Sequence, residues 1–117
     1  MNSFIAAYQA AFNRYTDFGG RTSVGGFWRF AAVNFVVAIV LLALVAVSNV
    51  FFFLYLVYAL AVLIPTLAIA IRRLHDTGKS GWFILFGLIP LVGAIVLLVF
   101  YIQPSDGPNE YGQGPQD

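Results

Sequence analysis

The sequence contains no cysteine and few charged residues. Without cysteine there are no disulfides, thiolate nucleophiles or thiolate metal ligands. For the same reason, cysteine usage does not indicate whether the protein faces an oxidising or a reducing compartment. Only 9% of the 117 residues are charged, whereas soluble domains carry roughly 25%. The formal net charge is +1, so there is no strongly basic surface to attract nucleic acid. These absences favour lipid over water as the main solvent of the chain.

Two long apolar runs take up most of the chain. Hydrophobic residues make up 61% of the sequence, and the mean hydropathy is +0.87. Residues 30–71 and 81–105 contain no charged side chain. As a single helix the first run would be about 63 Å long, which is twice the 30 Å or so of a bilayer core. It is therefore predicted to fold back as two spans, and it starts too late and runs too long for a cleaved signal peptide.

The spans are predicted at residues 26–47, 50–71 and 82–102. Ser48 and Asn49 form the polar pair at which the first span turns into the second. Asn34, inside the first span, is expected to face protein, because an unpaired amide is costly in hydrocarbon.

The segments that flank the spans differ in composition. Residues 3–15 carry apolar side chains at helical spacing, which predicts an amphipathic helix that lies in the membrane interface or packs against the ends of the spans. Residues 103–117 are rich in proline, glycine and polar residues and predict a flexible polar tail. The predicted fold is an all-α integral membrane protein. It has a single membrane domain, residues 1–102, in which three transmembrane helices follow an amphipathic interfacial helix, and residues 72–81 form a cytoplasmic loop.

The basic residues set the predicted orientation. All six lie in the N-terminal segment or in residues 72–81: Arg14, Arg21, Arg29, Arg72, Arg73 and Lys79. Three spans bring these two segments to one side, which the positive-inside rule makes the cytoplasm. The N-terminus is therefore predicted in the cytoplasm and the C-terminus outside.

Three motifs resemble a family of small bacterial inner-membrane proteins. They are Phe-Gly-Gly-Arg-Thr-Ser at 18–23 with Phe-Trp at 27–28, Arg-Arg-Leu-His-Asp-Thr-Gly-Lys-Ser-Gly-Trp at 72–82, and Asn-Glu-Tyr-Gly at 109–112. The family is catalogued as domain of unknown function 805, so the resemblance implies a location in the bacterial inner membrane and an architecture, but no activity. The chain departs from the family at Val24, Gly25 and Gly26, where such proteins often carry a basic and an acidic residue. This departure removes a possible ion-pair partner of the central loop.

Arg72 and Arg73 allow two interpretations. They determine topology and complement the dipole at the C-terminus of the second span, or they form a headgroup site for anionic phospholipid together with Arg21 and Lys79. A guanidinium group suits phosphate because its planar fork can donate two hydrogen bonds at once.

Asp76 is disfavoured by the helix dipole and is expected to have a cationic partner. Arg72 and Arg73 are within reach on the same helix, and Arg21 or Arg29 could instead tie the N-terminal segment to the central loop. The main interpretation of Asp76 is a structural clamp.

His75 and two prolines are further candidates. His75 is the single histidine, and adjacent helical residues diverge by about 100°, so a dyad with Asp76 does not follow from the spacing. A lone histidine also predicts no metal site. Capping or hydrogen bonding is expected for it, with a proton-responsive role as the alternative.

Pro65 and Pro90 each remove a backbone hydrogen bond and are predicted as hinges or kinks, either for simple packing or to open a small polar pocket.

The leading functional hypothesis is a structural or accessory membrane protein, not an enzyme and without a cofactor. It binds anionic lipid or partner proteins through residues 72–82, and the candidate binding residues are Arg21, Arg72, Arg73, His75, Asp76, Lys79 and Trp82. The expected partners are membrane lipids, then a second copy of the chain or another membrane protein. The alternative is a subunit of an oligomeric channel or small-solute transporter that uses Pro65, Pro90 and His75. A lipid-modifying enzyme with His75 or Asp76 as base ranks third, because no nucleophile–base pair is visible.

Overall fold

The helices of the chain are seen in a computed structural model that describes residues 2–116. No β-strand occurs within this part of the chain, which confirms the predicted all-helical class. The elements in order are α1 (Asn2–Asn13), α2 (Val24–Val47), α3 (Phe51–Asp76), a 3₁₀ helix (Gly81–Leu88) and α4 (Val92–Ile102).

Helices α2 and α3 form a long hairpin. The side chain of Ser23 caps α2 by accepting a hydrogen bond from the Gly26 N–H at 3.0 Å, and α2 ends at Ser48, where the predicted turn lies. Both helices are long and apolar enough to cross a membrane. In their most apolar windows only 6% and 22% of the residues are buried, so these helices present their apolar side chains outward, unlike the core helices of a soluble protein.

Helix α3 continues to Asp76, past the predicted end of the span at residue 71 and into the predicted loop at residues 72–81. This agrees with the expectation that Arg72, Arg73 and Asp76 lie on the same helix. Their ionisable side chains are buried against other segments. The helix then ends at Gly78, whose φ of +79° suits glycine. Backbone N–H groups of Gly78 and Lys79 donate to the carbonyls of His75 and Leu74, at 3.0 and 2.9 Å. This pair of bonds is a Schellman motif.

The continuous helix predicted for a third span at residues 82–102 is not found. The 3₁₀ helix and α4 are the two arms of a short hairpin, residues 81–102, which turns at residues 89–91. Pro90 has no N–H and disfavours a helical Ile89 before it. Leu91 then adopts φ 61° and ψ −63°, and the Val92 N–H donates to the Pro90 carbonyl at 2.6 Å. These values describe a γ-turn, which reverses the chain.

Both ends of this short hairpin lie at the same end of the α2–α3 hairpin. The first arm starts at Gly81, beside His75, where an added β-carbon would come within 3.4 Å of the imidazole. The second arm ends at Tyr101, whose carbonyl accepts hydrogen bonds from Arg73 Nε and Trp28 Nε1, both at 3.1 Å. Arms of 8 and 11 residues are each about 16 Å long, roughly half a bilayer core.

The C-terminal tail packs against the protein, unlike the flexible tail that its composition predicts. Arg21 donates to tail carbonyls, among them that of Gly112 at 2.9 Å, and Tyr111 stacks on His75 with ring centroids 3.8 Å apart. A third crossing would carry the tail to the opposite end of the helices from Arg21. The predicted placement of the two termini at opposite ends is therefore not found in residues 2–116, because the short hairpin returns the chain to its starting end.

Helix α1 packs against both long helices, which is one of the two arrangements that its amphipathic pattern predicts. Ala11 is fully buried, and the Tyr8 ring stacks on Phe30 with centroids 5.6 Å apart. The hydroxyls of Tyr8 and Tyr58 are 2.7 Å apart, and the Tyr58 hydroxyl donates to Asn34 Oδ1 at 2.5 Å. Asn34 therefore faces protein, as predicted.

Candidate functional site

The residues singled out by the sequence gather at the C-terminal end of α3. Five of them are buried: Arg21, Arg72, Arg73, His75 and Asp76. We call Arg21, Arg73 and Asp76 the clamp, and the end of the α2–α3 hairpin that carries it the clamp end.

Asp76 is held by two guanidinium groups. Arg21 Nε donates to Oδ1 at 2.9 Å, and Arg73 Nη1 donates to Oδ2 at 2.5 Å. The Ser105 hydroxyl also donates to Oδ2. All three members of the clamp are fully buried, so each charge depends on the others for compensation. Of the partners that the sequence left open, the structure selects one from α3 itself and one from the N-terminal segment.

Arg21 uses all five N–H donors within the protein. Beside its bond to Asp76 Oδ1, it donates to four backbone carbonyls at 2.6–3.2 Å: Asp76, Asp106, Gly107 and Gly112. Three of these four carbonyls belong to the tail. A guanidinium with five bonded donors has none left for a lipid phosphate.

Arg72 and Arg73 tie α3 to the rest of the clamp end. Arg72 Nε donates to Thr22 Oγ1, and its Nη1 donates to the carbonyls of Arg14 and Asp17, all at 2.9 Å. Arg73 donates to the carbonyls of Thr22 and Tyr101 at 2.9 and 3.1 Å, and also to that of Gln103. These bonds join the N-terminal segment, α3 and the end of α4.

His75 faces away from the Asp76 carboxylate. Its Nδ1 lies 3.1 Å from the carbonyl oxygen of Gly20, which makes Nδ1 the protonated nitrogen. The ring stacks on Tyr111 with an interplanar angle of 4°. The imidazole therefore joins the Gly20 turn to the tail.

Lys79 and Trp82 lie at the margin of the cluster. Lys79 Nζ donates to Gln103 Oε1 at 2.6 Å and sits 4.8 Å from the centroid of the Phe100 ring. Burial, helped by the positive charge of Arg73, lowers the pKa of Lys79. Trp82 is 77% exposed and lines a shallow groove of about 460 Å³ together with Phe18 and Tyr111. Trp82 is thus the most accessible of the predicted site residues at this end of α3.

The two prolines occupy different settings. Pro65 is buried within α3, which continues as one helix through it. The neighbouring Thr66 Oγ1 is buried without a hydrogen-bond partner in the part of the chain that the structure describes. Pro90 is exposed in the turn of the short hairpin.

A second cavity was missed by sequence reasoning. It lies between α1 and α2, has a volume of about 330 Å³, and is lined by small side chains of α1 and by Arg14, Arg29 and Arg72. The sequence suggested Arg29 only as one of the basic residues that set the orientation and as a possible partner of Asp76. The signals that could have revealed the cavity are the alanines of α1 and Gly25 one turn before Arg29. An added β-carbon at Gly25 would lie 3.3 Å from Arg29 Nη1, so the guanidinium folds back over this glycine.

The arginines of this cavity differ in their pairing. Arg14 forms an ion pair with Asp17 at 2.6 Å. Burial by itself raises the pKa of Asp17, but hydrogen bonds from Arg14 and from the N–H groups of Gly20 and Gly19 outweigh it, so this pKa lies below its ordinary value. Arg29 is exposed and has no hydrogen bond or ion pair to any residue in the range 2–116.

Comparison with known proteins agrees with the motifs at the clamp end. A family of proteins of unknown function, DUF805, matches residues 15–113. The chain belongs to the DUF805 family. The matched range includes all of the clamp, the short hairpin and most of the tail.

Two relatives from Escherichia coli strain K12 cover nearly the same length. "Inner membrane protein YhaI" is 35% identical over 111 residues, which cover 93% of this chain and 94% of the relative. "Inner membrane protein YhaH" is 32% identical over 115 residues, with 93% and 95% covered. No solved structure matches the chain. The inner-membrane names of these relatives fit the membrane location that the composition predicts.

Proposed function

We propose that this chain is a non-catalytic accessory protein of a bacterial inner membrane and that it binds anionic phospholipid in the cytoplasmic leaflet. The relatives carry inner-membrane names, and the long apolar helices are of spanning length. The lipid site is the cavity between α1 and α2, and the clamp serves as a structural device.

The proposed topology has two spans and places both termini in the cytoplasm. All basic residues belong to segments at the clamp end, which the positive-inside rule assigns to the cytoplasm. The tail is hydrogen-bonded to Arg21 at this same end. The short hairpin then enters the cytoplasmic leaflet and returns from it, so only α2 and α3 cross.

Within residues 2–116 no group forms a hydrogen bond or ion pair with Arg29, and this observation carries the lipid site. All five donors of Arg21 are bonded within the protein. Arg72 and Arg73 are buried and donate to backbone carbonyls and, from Arg72, to the Thr22 hydroxyl. Arg29 is the cation that lines a cavity and keeps its donors available. The predicted headgroup site at Arg72 and Arg73 is therefore moved in this proposal to Arg29, with Arg14 on the facing wall.

The chemistry of the cavity fits a phosphodiester. A guanidinium group can donate two parallel hydrogen bonds to phosphate oxygens. The first turn of α2, with Ser23 and Gly26, forms part of the wall, and the positive end of a helix dipole favours an anion there. Basic pockets on the cytoplasmic side of membrane helices bind acidic headgroups in the same way. The exposed apolar side chains of α2 leave room for the acyl chains beside the cavity.

The test is native mass spectrometry of the full chain loaded with phosphatidylglycerol or phosphatidylethanolamine. We expect the wild type to retain phosphatidylglycerol preferentially and Arg29→Gln to lower that retention about tenfold, since a hydrogen bond to a charged group contributes about 1.5 kcal/mol. Lys79→Gln is the matched control, because it removes the same charge outside the cavity. Equal losses in both variants, or none in Arg29→Gln, would contradict the site.

A further inference from the structure

The protein is much broader at the clamp end than at the other end. At the clamp end, α2 and α3 are joined by the C-terminal end of α1 and by both arms of the short hairpin. At the other end, around Ser48 and Asn49, only α2 and α3 are present among residues 2–116, and the neighbouring Val47 and Val50 are strongly exposed.

The short hairpin has the properties of a segment that enters hydrocarbon. Residues 81–102 contain no charged side chain. The side chains around the turn point outward: Leu88 is 80% and Leu91 75% exposed. Arms of about 16 Å end near the middle of a bilayer core of about 30 Å. The hairpin therefore adds volume to one leaflet and none to the other.

We propose that the protein acts as a leaflet-specific wedge, which favours membrane that is convex on the side of the clamp end. A helical segment about 10 Å wide occupies roughly 80 Å² of a leaflet, so the two arms alone add about 160 Å² to the leaflet that holds them. The C-terminal end of α1 adds to the same side, because Arg72 holds the Arg14 carbonyl just after it at 2.9 Å. A bilayer accommodates such a mismatch between its leaflets by bending.

This inference rests on the two-span topology proposed above, and it does not depend on lipid binding by Arg29. The clamp keeps the wedge in place: Arg73 holds the end of α4 through the Tyr101 carbonyl, and Lys79 holds Gln103 just after it. The two arms therefore cannot separate from α3 without breaking bonds at the buried clamp.

The experiment uses membrane tubes pulled outward from giant vesicles that contain the full chain. Because the sequence has no cysteine, Gln113→Cys provides a single thiol for a fluorophore on the exposed tail. A membrane-impermeant quencher sorts the molecules into those with the tail outward and those with the tail inward. The ratio of protein density on the tube to that on the vesicle is then measured at decreasing tube radius.

We expect this ratio to exceed one for tail-outward molecules and to fall below one for tail-inward molecules, with both deviations growing as the tube narrows. The opposite signs in the same lipid exclude a general preference of the fluorophore for tubes. Ratios that are equal in the two orientations, including a ratio of one in both, would overturn the wedge.

A second labelled variant, Asn49→Cys, separates failure of the wedge from failure of the topology. With two spans, the labels at residues 49 and 113 lie on opposite faces of the membrane; with three spans they lie on the same face. Labels on one face would overturn the topology and the wedge together. Labels on opposite faces without curvature sorting would overturn the wedge alone.

Discussion

Asp76 lies where a helix least favours a carboxylate. It occupies the last turn of α3, close to the negative end of the helix dipole, and it is fully buried. Two guanidinium groups compensate its charge at 2.9 and 2.5 Å. Because one belongs to the same helix and the other to the N-terminal segment, the carboxylate fixes α3 and Arg21 relative to each other, and Arg21 in turn fixes the tail.

Replacing Asp76 by Asn tests the clamp at the level of one residue. The change preserves shape but leaves two buried guanidinium groups without their counter-charge, so we expect a loss of about 3–5 kcal/mol in the free energy of unfolding. The measurement is chemical unfolding in a mild detergent.

Asp106→Asn provides the control for this variant. It removes the same charge from an exposed tail residue whose backbone carbonyl still accepts the bond from Arg21, and we expect a change within about 0.5 kcal/mol. A similar small effect of Asp76→Asn would contradict the buried clamp.

The short hairpin depends on two unusual backbone positions. Leu91 has a positive φ, which is strained for a residue with a β-carbon. At Gly93 an added β-carbon would overlap the carbonyl of Phe86, so the two arms approach each other too closely for any larger residue. Pro90 interrupts the helix, Leu91 reverses the direction of the chain, and Gly93 allows the close contact between the two arms.

Substitutions at these two positions distinguish the hairpin from a straight helix by the sign of their effects. In the hairpin, we expect Leu91→Gly to stabilise by about 1 kcal/mol because it relieves the positive φ, and Gly93→Ala to destabilise by about 1–3 kcal/mol through overlap with Phe86. In a continuous helix, both signs would reverse, because glycine costs about 1 kcal/mol relative to alanine there. Thermal unfolding of both variants in one detergent decides the matter.

At the scale of the whole molecule, the tail connects the end of the chain to its N-terminal segment and to the C-terminal end of α3. Its carbonyls fill the donors of Arg21, Tyr111 covers His75, and the amide of Asn109 donates to the His75 carbonyl at 3.1 Å. The first and last parts of the chain therefore meet at the clamp end. The proposed topology, with two crossings between them, allows this contact.

Cysteine labelling in spheroplasts tests that topology. The natural chain contains no cysteine, so each variant carries a single reactive thiol. We expect an impermeant maleimide added outside to label Asn49→Cys, and to label Gln113→Cys only after permeabilisation. The proposed topology places Leu91, at the tip of the hairpin, within the hydrocarbon, so Leu91→Cys should resist labelling in both conditions. External labelling of Gln113→Cys would instead restore the three-span topology.

Much of the fold could be predicted because it depends on which solvent each segment prefers. The long uncharged run, its polar interruption at Ser48 and Asn49, and the amphipathic start of the chain predicted α2, α3 and α1. The gathering of basic residues indicated which end of the helices carries the polar cluster. The motifs around residues 72–82 indicated the family.

Three features were decided only by the tertiary structure. Hydropathy reports that residues 82–102 avoid water, but a half-length hairpin and a full span satisfy that preference equally, and the backbone at Leu91 and Gly93 selects the hairpin. The partners of Asp76 depended on which arginines come close in space. The tail became ordered because the donors of Arg21 need acceptors, and three of the four carbonyls that meet this need lie 85 or more residues away along the chain.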